Sequence, residues 1–264
     1  MRITILGSGS AGNCTLVESD TAKLLIDAGL SGRQIAVRLA LIDRSPDQLS
    51  GVILTHEHSD HVRGLGVLCK TRALPVYANR LTAEAVTTDP EWPPSVRISW
   101  RLFATGSPFE VGDLVVESFS VPHDASDPVG YVVRHPGSGT AVGLLTDLGH
   151  ATRLVTERVR QLDALVVEAN HDLKLLQEDV ARPWALKQRI MSRHGHLSND
   201  AAAILASEVA CDRLRQVFLA HLSRDCNRPE LAQQTVSGKL RQIGARHIAV
   251  AVSSQDKPTA TLTV

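Results

Sequence analysis

One short segment constrains this chain more than any other feature. Residues 56–61 read His-Glu-His-Ser-Asp-His and directly follow an apolar run, residues 51–55, that predicts a buried strand. Residues two apart on an extended backbone face the same side, so His56 and His58 could bind one metal ion together. Asp60 and His61 fall in the turn before a predicted helix, residues 62–72, and could reach a second ion. Taken singly, Asp60 could be a helix N-cap and one histidine a core group, but the joint pattern favours a metal site.

Further ligands of a metal pair are expected where other strands end. His123 follows a predicted strand at 114–121, Asp147 follows one at 141–146, and His221 follows one at 216–220. We expect Asp147 to bridge two ions with its two oxygens, and Asp124 to orient His123 from outside. Each of these residues taken alone could be an ordinary loop residue. Their shared position directly after an apolar strand favours the functional interpretation.

Composition excludes several classes of protein. The 28 basic and 28 acidic residues cancel, which excludes a protein that coats nucleic acid through bulk positive charge. Aromatic residues make up only 3%, which weakens any expectation of base stacking. The four cysteines contain no C-x-x-C pair, and no apolar stretch approaches the length of a signal peptide or a membrane span. We therefore expect a cytoplasmic protein that does not contact membranes.

The order of the predicted elements indicates the architecture. The first half is rich in strands and the second half alternates strands with helices, with no repeat and no linker-like shift in composition. This order predicts one α/β domain over residues 1–264, with two sheets packed together and helices outside.

A glycine-rich segment, residues 7–12, matches the dinucleotide-binding pattern G-x-G-x-x-G, and Asp27 lies where the ribose-binding acid would be. In such a site the third glycine opens a helix, whereas the residues from Asn13 onward predict strand, turn and strand. We therefore reject the dinucleotide interpretation. Two alternatives stay open: a loop that lets backbones pass closely, or a loop that borders a site into which Asn13 points.

In their order along the chain, the candidate ligands resemble the metallo-β-lactamase superfamily pattern, and the resemblance covers nearly the whole chain. It implies a four-layer αββα sandwich with two metals at one edge. It further implies that His56, His58 and His123 hold the first metal, that Asp60, His61 and His221 hold the second, and that Asp147 bridges them. Residues 7–13, 168–172 and 195–199 resemble the bacterial YycJ (WalJ) family, whose members are regarded as 5′-to-3′ DNA exonucleases.

A metal pair suggests a mechanism for phosphodiester cleavage. Two divalent ions, zinc or manganese with iron as a third candidate, would turn a bridging water into a hydroxide at neutral pH. The leaving oxygen needs a proton, for which His196 is the candidate donor, oriented by Glu168. This pair rests in part on resemblance to ribonuclease Z-like members of the superfamily. His171 competes for the same role, and Glu168 could instead cap a helix while His196 is a loop residue.

Basic residues at 182–193, with no acid among them, include Arg182 and Arg189 and could line a groove for phosphates. A solvated helix face explains them equally well. Asn13 and His171 are further candidates for substrate contact.

The leading functional hypothesis is a metal-dependent DNA exonuclease that takes a nucleic acid substrate. The alternatives are a small-molecule or cyclic-nucleotide phosphodiesterase of the same fold, a thioester or lactam hydrolase, and a metal-binding module without activity. The sequence leaves the oligomeric state open.

Overall fold

The computed structural model describes residues 1–90, 92–93 and 95–264. It contains two seven-stranded sheets, numbered here in chain order. The first sheet is formed by β1 (Arg2–Gly7), β2 (Cys14–Glu18), β3 (Lys23–Ile26), β4 (Gly51–Ile53), β5 (Pro75–Asn79), β6 (Ser99–Phe103) and β14 (Leu262–Thr263). The second is formed by β7 (Pro108–Val111), β8 (Leu114–Ser120), β9 (Val129–His135), β10 (Thr140–Leu145), β11 (Ala164–Glu168), β12 (Gln216–Ala220) and β13 (Ala249–Val252).

The helices connect these strands and lie outside the sheets. They are α1 (Gly32–Ala40), α2 (Ser59–Val62), α3 (Leu65–Thr71), α4 (Arg80–Thr88), α5 (Arg153–Arg158), α6 (Leu173–Glu178), α7 (Trp184–Ile190), α8 (Asn199–Glu208) and α9 (Pro229–Gln242), with a short 3₁₀ turn at Pro46–Gln48. None of the helices in the described ranges is long and apolar enough to cross a membrane.

Three hydrophobic cores separate four layers. One core fills the space between the sheets, with residues such as Ile5 of β1 and Val166 of β11. A second core packs α1, α3 and α4 on the outer face of the first sheet. A third packs α5, α8 and α9 on the second sheet. The expected αββα sandwich is therefore confirmed.

Strand order places the carboxyl ends of several strands at one edge. The first sheet runs β14-β1-β2-β3-β4-β5-β6, with β3 to β6 parallel. The second runs β13-β12-β11-β10-β9-β8-β7, with β10 to β13 parallel. Because parallel strands end on the same side of a sheet, the loops that follow them converge there, where ligands bind in open α/β sheets.

The structure confirms one local prediction and contradicts another. After Gly12 the chain enters β2, which confirms the predicted strand at the place where the dinucleotide-binding pattern requires a helix. The helix predicted over 62–72 is wrong as a single element, because the chain forms α2 and α3 with Gly64 between them. A Cβ on Gly64 would lie 2.4 Å from the carbonyl oxygen of Leu30, so only glycine allows the chain to pass this close to the loop after β3.

Candidate metal centre and active site

The predicted ligands meet at the edge where the parallel strands end. The loop after β4 carries residues 56–61, and the loops after β8, β10 and β12 carry the others. His56, His61, His123, Asp147 and His221 are buried, each at most 6% exposed. Asp60 and His58 lie on the more open side of the cluster. The structure therefore brings together all seven predicted ligands.

The first group consists of His56, His58 and His123. His56 Nε2 lies 3.1 Å from His58 Nδ1, and His123 Nε2 lies 3.3 Å from the same atom. All three offer one ligand atom within 4.8 Å of one another. Ligand nitrogens about 2.0–2.1 Å from a tetrahedral ion lie roughly 3.3 Å apart. The spacing of this group therefore suits one divalent ion.

The expected role of Asp124 is wrong. The outer nitrogen of His123, Nδ1, faces the backbone carbonyl of Gly195 at 3.1 Å, so this carbonyl orients the ring. Asp124 Oδ1 instead lies 3.4 Å from Nε2, the nitrogen that faces the other two histidines. The sequence could not show this arrangement, since Gly195 lies 72 residues along the chain from His123.

The second group is formed by Asp60, His61 and His221. Asp60 Oδ2 lies 3.5 Å from Nε2 of His61 and 3.5 Å from Nε2 of His221. Asp147 adjoins both groups: its Oδ2 lies 2.8 Å from His61 Nε2, and it shares a further set of close ligand atoms with His56 and His61. This position is the one that a bridging carboxylate requires.

The residues present fit a pair of divalent ions. Asp147 is 2% exposed and its Oδ2 lies 2.8 Å from His61 Nε2, and a carboxylate buried this deeply is costly unless positive charge faces it. Imidazoles and carboxylates together suit zinc, manganese or iron. The resemblance to the metallo-β-lactamase superfamily likewise implied two metal sites that share the carboxylate of Asp147.

Charge in the cluster favours cations. Burial opposes the charged form of His61, but the carboxylates Asp27, Asp147 and Asp60 outweigh it and raise the pKa of His61 well above its usual range. Burial also opposes the charged form of His221, and Asp147 in particular raises its pKa in the same way. A divalent ion would replace these protons, because imidazole binds metal only when it is deprotonated.

Asp27 supports the second group from behind, a role that the sequence interpretation missed. Its carboxylate accepts hydrogen bonds from the backbone N–H and the hydroxyl of Thr55, at 2.8 and 2.9 Å, and from His61 Nδ1 at 2.7 Å. Such a carboxylate fixes the tautomer of a ligating histidine. The signal was available, because Asp27 directly follows β3 just as Asp147 and His221 directly follow apolar strands.

The backbone is strained at three of these positions. Asp27, Asp147 and His221 have φ values of 61°, 51° and 52°, in the left-handed region that side chains other than glycine rarely adopt. Such strain clusters at functional sites, where the surrounding structure holds it. At each of these three positions, the left-handed backbone turns the chain away from the strand, while the side chain of the residue stays directed toward the centre.

Glu168 and His196 form a hydrogen-bonded pair beside the second group. Glu168 Oε1 accepts from His196 Nδ1 at 2.7 Å and lies 2.8 Å from His221 Nδ1. Its Oε2 accepts the backbone N–H groups of Leu148 and Leu197. Burial opposes charge on both groups, but the pair lowers the pKa of Glu168 to about 2 and raises the pKa of His196. Glu168 is therefore no helix cap but a fully buried anion that holds His196.

Asn13 points into the centre, as one of the two alternatives for the glycine-rich loop predicted. Its amide nitrogen lies 3.2 Å from Asp60 Oδ2 and 3.1 Å from His61 Nε2. Its carbonyl oxygen accepts from the hydroxyl of Ser8, which in turn accepts the backbone N–H of His221. The loop therefore joins the two loops that supply the second group.

The remaining predicted residues lie around this centre. His171 is buried, its Nδ1 has no hydrogen-bond partner among the residues that the structure describes, and burial lowers its pKa to about 4. Arg189 Nε donates to Asp124 Oδ2 at 2.6 Å, and Arg182 Nη2 donates to Asp225 Oδ2 at 2.7 Å. Arg182 and Arg189 therefore have acidic partners on other elements, and contact of these basic residues with substrate stays a prediction.

The fold and the paired His/Asp groups define a metallohydrolase of the metallo-β-lactamase type. Residues 22–222 match the family model described as a β-lactamase superfamily domain, so the chain belongs to this superfamily. A metallo-β-lactamase fold protein, YhfI from Bacillus subtilis, superposes with a TM-score of 0.72 at 17% identity over 98% of both chains.

Within the superfamily, the chain belongs to the YycJ/WalJ family. It is 37% identical to exodeoxyribonuclease YycJ of Bacillus anthracis over 251 residues, which are 92% of this chain and 90% of that protein. It is 38% identical to exodeoxyribonuclease WalJ of Streptococcus pneumoniae (serotype 2, strain D39) over 241 residues, covering 91% and 88% of the two chains.

Proposed function

We propose that this protein is a metal-dependent DNA exonuclease of 5′-to-3′ polarity, with residues 1–264 acting as one catalytic domain. The observation that carries the proposal is the Glu168–His196 pair within a cluster of side chains that could hold metal ions, in which Asp147 lies close both to His56 and His61 and to Glu168, His196 and His221. A phosphodiester needs both metal ions and a proton for its leaving alkoxide. The names of relatives about 37–38% identical over some nine-tenths of the chain support DNA as the substrate.

The metal ions and the side chains have separate tasks. When bound, a pair of divalent ions would lower the pKa of water and offset the charge that develops on the phosphoryl oxygens. His56, His58 and His123 would hold one ion; Asp60, His61 and His221 would hold the other. Asp147 would contact both. Asp27 keeps His61 in the tautomer whose Nε2 faces the centre.

His196 is the proton donor that the geometry favours. Its Nδ1–H is engaged by Glu168, which leaves Nε2 for the leaving oxygen, and its side chain is 23% exposed, enough to meet a substrate. Burial opposes the charged form of His196, but the carboxylate of Glu168 raises its pKa, which favours the protonated ring that a proton donor requires. The pKa of His171 is lowered to about 4, so His171 is neutral there and suits a hydrogen bond rather than proton donation.

The proposal is tested by metal-dependent turnover. Purified protein is chelated, reloaded with zinc or manganese, and offered end-labelled DNA, end-labelled RNA, a cyclic nucleotide and a thioester. We expect stepwise release of nucleotides from the 5′ end of DNA, lost on chelation and in Asp60→Ala. Turnover of the cyclic nucleotide or the thioester without turnover of DNA would overturn the proposal in favour of a small-molecule hydrolase.

A further inference from the structure

The turn that follows α7 lies against the metal centre. Residues 192–195 form this turn, which is closed by a backbone bond of 3.0 Å between its first and last residues. The carbonyl oxygen of Gly195 lies 3.1 Å from Nδ1 of His123, one of the predicted ligands. The turn also packs on the loop after β10, because a Cβ on Gly149 would lie 2.2 Å from the carbonyl oxygen of Arg193. Two loops that carry predicted ligands therefore fix the position of this turn.

Arg193 is exposed on this turn, and the loop of Asp147 holds its side chain. His150, three residues after Asp147, donates from Nδ1 to the carbonyl oxygen of Arg193 at 3.0 Å, and its Nε2 lies 3.4 Å from Arg193 Nη2. Among the residues that the structure describes, Arg193 has no acidic partner, and its Nε and Nη1 have no hydrogen-bond partner. A guanidinium that is held in place without a counter-charge fits an anion with several acceptor oxygens.

Arg189, in the last turn of α7, reaches the first metal group. Its Nε donates to Asp124 Oδ2 at 2.6 Å, and Asp124 Oδ1 lies 3.4 Å from His123 Nε2, the nitrogen that faces the other two histidines. One carboxylate therefore separates this guanidinium from the first group. The side chain of Arg189 is 63% exposed, and its bond to Asp124 uses only Nε, so the two terminal nitrogens keep their hydrogens for a further acceptor.

The two guanidinium groups lie on one side of the centre, because the loops that hold them adjoin. The backbone N–H of Gly149 donates to the carbonyl oxygen of Pro122 at 2.8 Å, which joins the loop of His150 to the loop of Asp124. Residues 180–199 contain no acidic residue, although the whole chain has 28 acidic and 28 basic residues. The rim beside the first metal group is therefore locally positive, which attracts the phosphates of a nucleic acid.

We propose that Arg189 and Arg193 bind the phosphate that neighbours the scissile phosphate on the substrate strand. The scissile phosphate would lie on the metal ions, and Asp124 stands between Arg189 and the first metal group, so the two arginines meet the next phosphate. Arg182 takes no part, because two carboxylates already pair with it.

A phosphate contact suits the proposed reaction. Contacts to phosphates fix the position of a strand and carry no base preference, and an exonuclease has to accept each base in turn as the strand shortens. This inference rests on the proposed function and names the part of the DNA by which the strand is held.

The test compares Arg193→Ala and Arg189→Ala with the unmodified enzyme. The measured quantity is the ratio of kcat/KM on single-stranded DNA to kcat/KM on bis-p-nitrophenyl phosphate, which has no neighbouring phosphate. Each variant lowers this ratio by about 10-fold, the lower end of the range for a hydrogen bond to a charged group, because both side chains are exposed. Arg246→Ala removes an exposed arginine before β13, at the opposite edge of the second sheet, and leaves the ratio unchanged.

Salt dependence and a neutral phosphate identify the contact. Fluorescence anisotropy measures binding of a phosphorothioate-protected oligothymidylate to the metal-loaded enzyme at several salt concentrations. The slope of log affinity against log salt becomes shallower by about 0.7 in Arg193→Ala, as expected for one phosphate of a single strand, and Arg193→Lys, which keeps the charge, keeps the slope. One methylphosphonate next to the scissile phosphate lowers kcat/KM of the unmodified enzyme and has no further effect in Arg193→Ala.

The outcomes separate this inference from the proposed function. If the unmodified enzyme does not degrade DNA, the proposed function fails. If it does, and both alanine variants keep the ratio, the salt slope and the methylphosphonate profile, the phosphate contact is refuted while the nuclease stands. Equal losses on both substrates refute it as well, because the arginines would then act only on the structure of the metal centre.

Discussion

Replacing Glu168 with glutamine is the most informative change in this site, because the carboxylate has four neighbours. One oxygen accepts the backbone N–H groups of Leu148 and Leu197, at 2.9 and 3.0 Å. The other lies 2.7 Å from His196 Nδ1 and 2.8 Å from His221 Nδ1. If the glutamine carbonyl keeps the two backbone bonds, its NH₂ group faces two ring nitrogens that themselves carry hydrogens.

The size of the effect follows from these contacts. Two hydrogen bonds to charged groups are lost, each worth about 1.5–3 kcal/mol, and removing one partner from a buried ion pair costs about 3–5 kcal/mol. We therefore expect the free energy of unfolding of the chelated protein to fall by about 3–5 kcal/mol in Glu168→Gln. The protonated His196 is no longer held, so kcat on DNA should fall by about 10²–10⁴.

Two substrates, the second test variant His196→Ala and one control variant make the test decisive. Bis-p-nitrophenyl phosphate has a leaving group that needs no proton, so its turnover should fall far less than that of DNA in both Glu168→Gln and His196→Ala. Glu18→Gln removes another buried carboxylate, paired with Arg44 at the opposite end of β2, and should lower stability without changing the ratio of the two rates. Equal losses on both substrates in Glu168→Gln and His196→Ala would refute a proton-donor role for this pair.

Three further results are expected. Asp27→Asn should weaken binding of the second metal ion by about 10- to 100-fold, because His61 loses the carboxylate that accepts from its Nδ1. Calorimetric titration of the chelated protein measures this affinity, and an unchanged value would contradict the prediction. Partial burial opposes charge on Asp113, but hydrogen bonds from nearby hydroxyls lower its pKa from 3.8 to about 2. The ionised Asp113 therefore stabilises the folded state above pH 3.8, and this contribution is lost as the pH falls toward 2. In urea unfolding, the free energy of unfolding of Asp113→Asn should depend less steeply on pH across this window than that of the unmodified protein. Gly29→Ala would place a Cβ 1.5 Å from the carbonyl oxygen of Asp60 and should lower stability by about 3 kcal/mol or more. Gly238→Ala, within α9, would place a Cβ no closer than 3.9 Å to Arg241 Nη2 and should raise stability by about 0.5–1 kcal/mol. Thermal unfolding distinguishes the two.

The sequence predicted the site best where histidine and aspartate residues directly follow an apolar strand. Residues 56–61, His123, Asp147 and His221 each follow an apolar strand, and the convergence of strand ends at one sheet edge is a general property of such folds. The four layers were likewise predictable, since strands and helices alternate with clear apolar patterns.

Contacts between distant residues were not predictable. The bond from the N–H of His221 to Ser8 spans 213 residues, and the carbonyl of Gly195 that orients His123 carries no side-chain signal. Asp124 was assigned the wrong side of its histidine, because adjacency in sequence does not decide which ring nitrogen a carboxylate faces. The partners of two basic residues near α7 were hidden for a similar reason: besides the nearby Asp179, Arg182 pairs with Asp225, and Arg189 pairs with Asp124, which lie on other loops.

The left-handed backbone at Asp27, Asp147 and His221 has a consequence for engineering and for descent. Each position gives up on the order of 1–3 kcal/mol that glycine would recover. Glycine would also remove a carboxylate or imidazole with which buried neighbours pair, at about 3–5 kcal/mol for a buried ion pair, so a laboratory selection for heat resistance alone would be expected to keep these three side chains. Glycine at the same positions in a homologue that keeps His56 and His58 would mark a lineage in which catalysis has been abandoned while the scaffold persists.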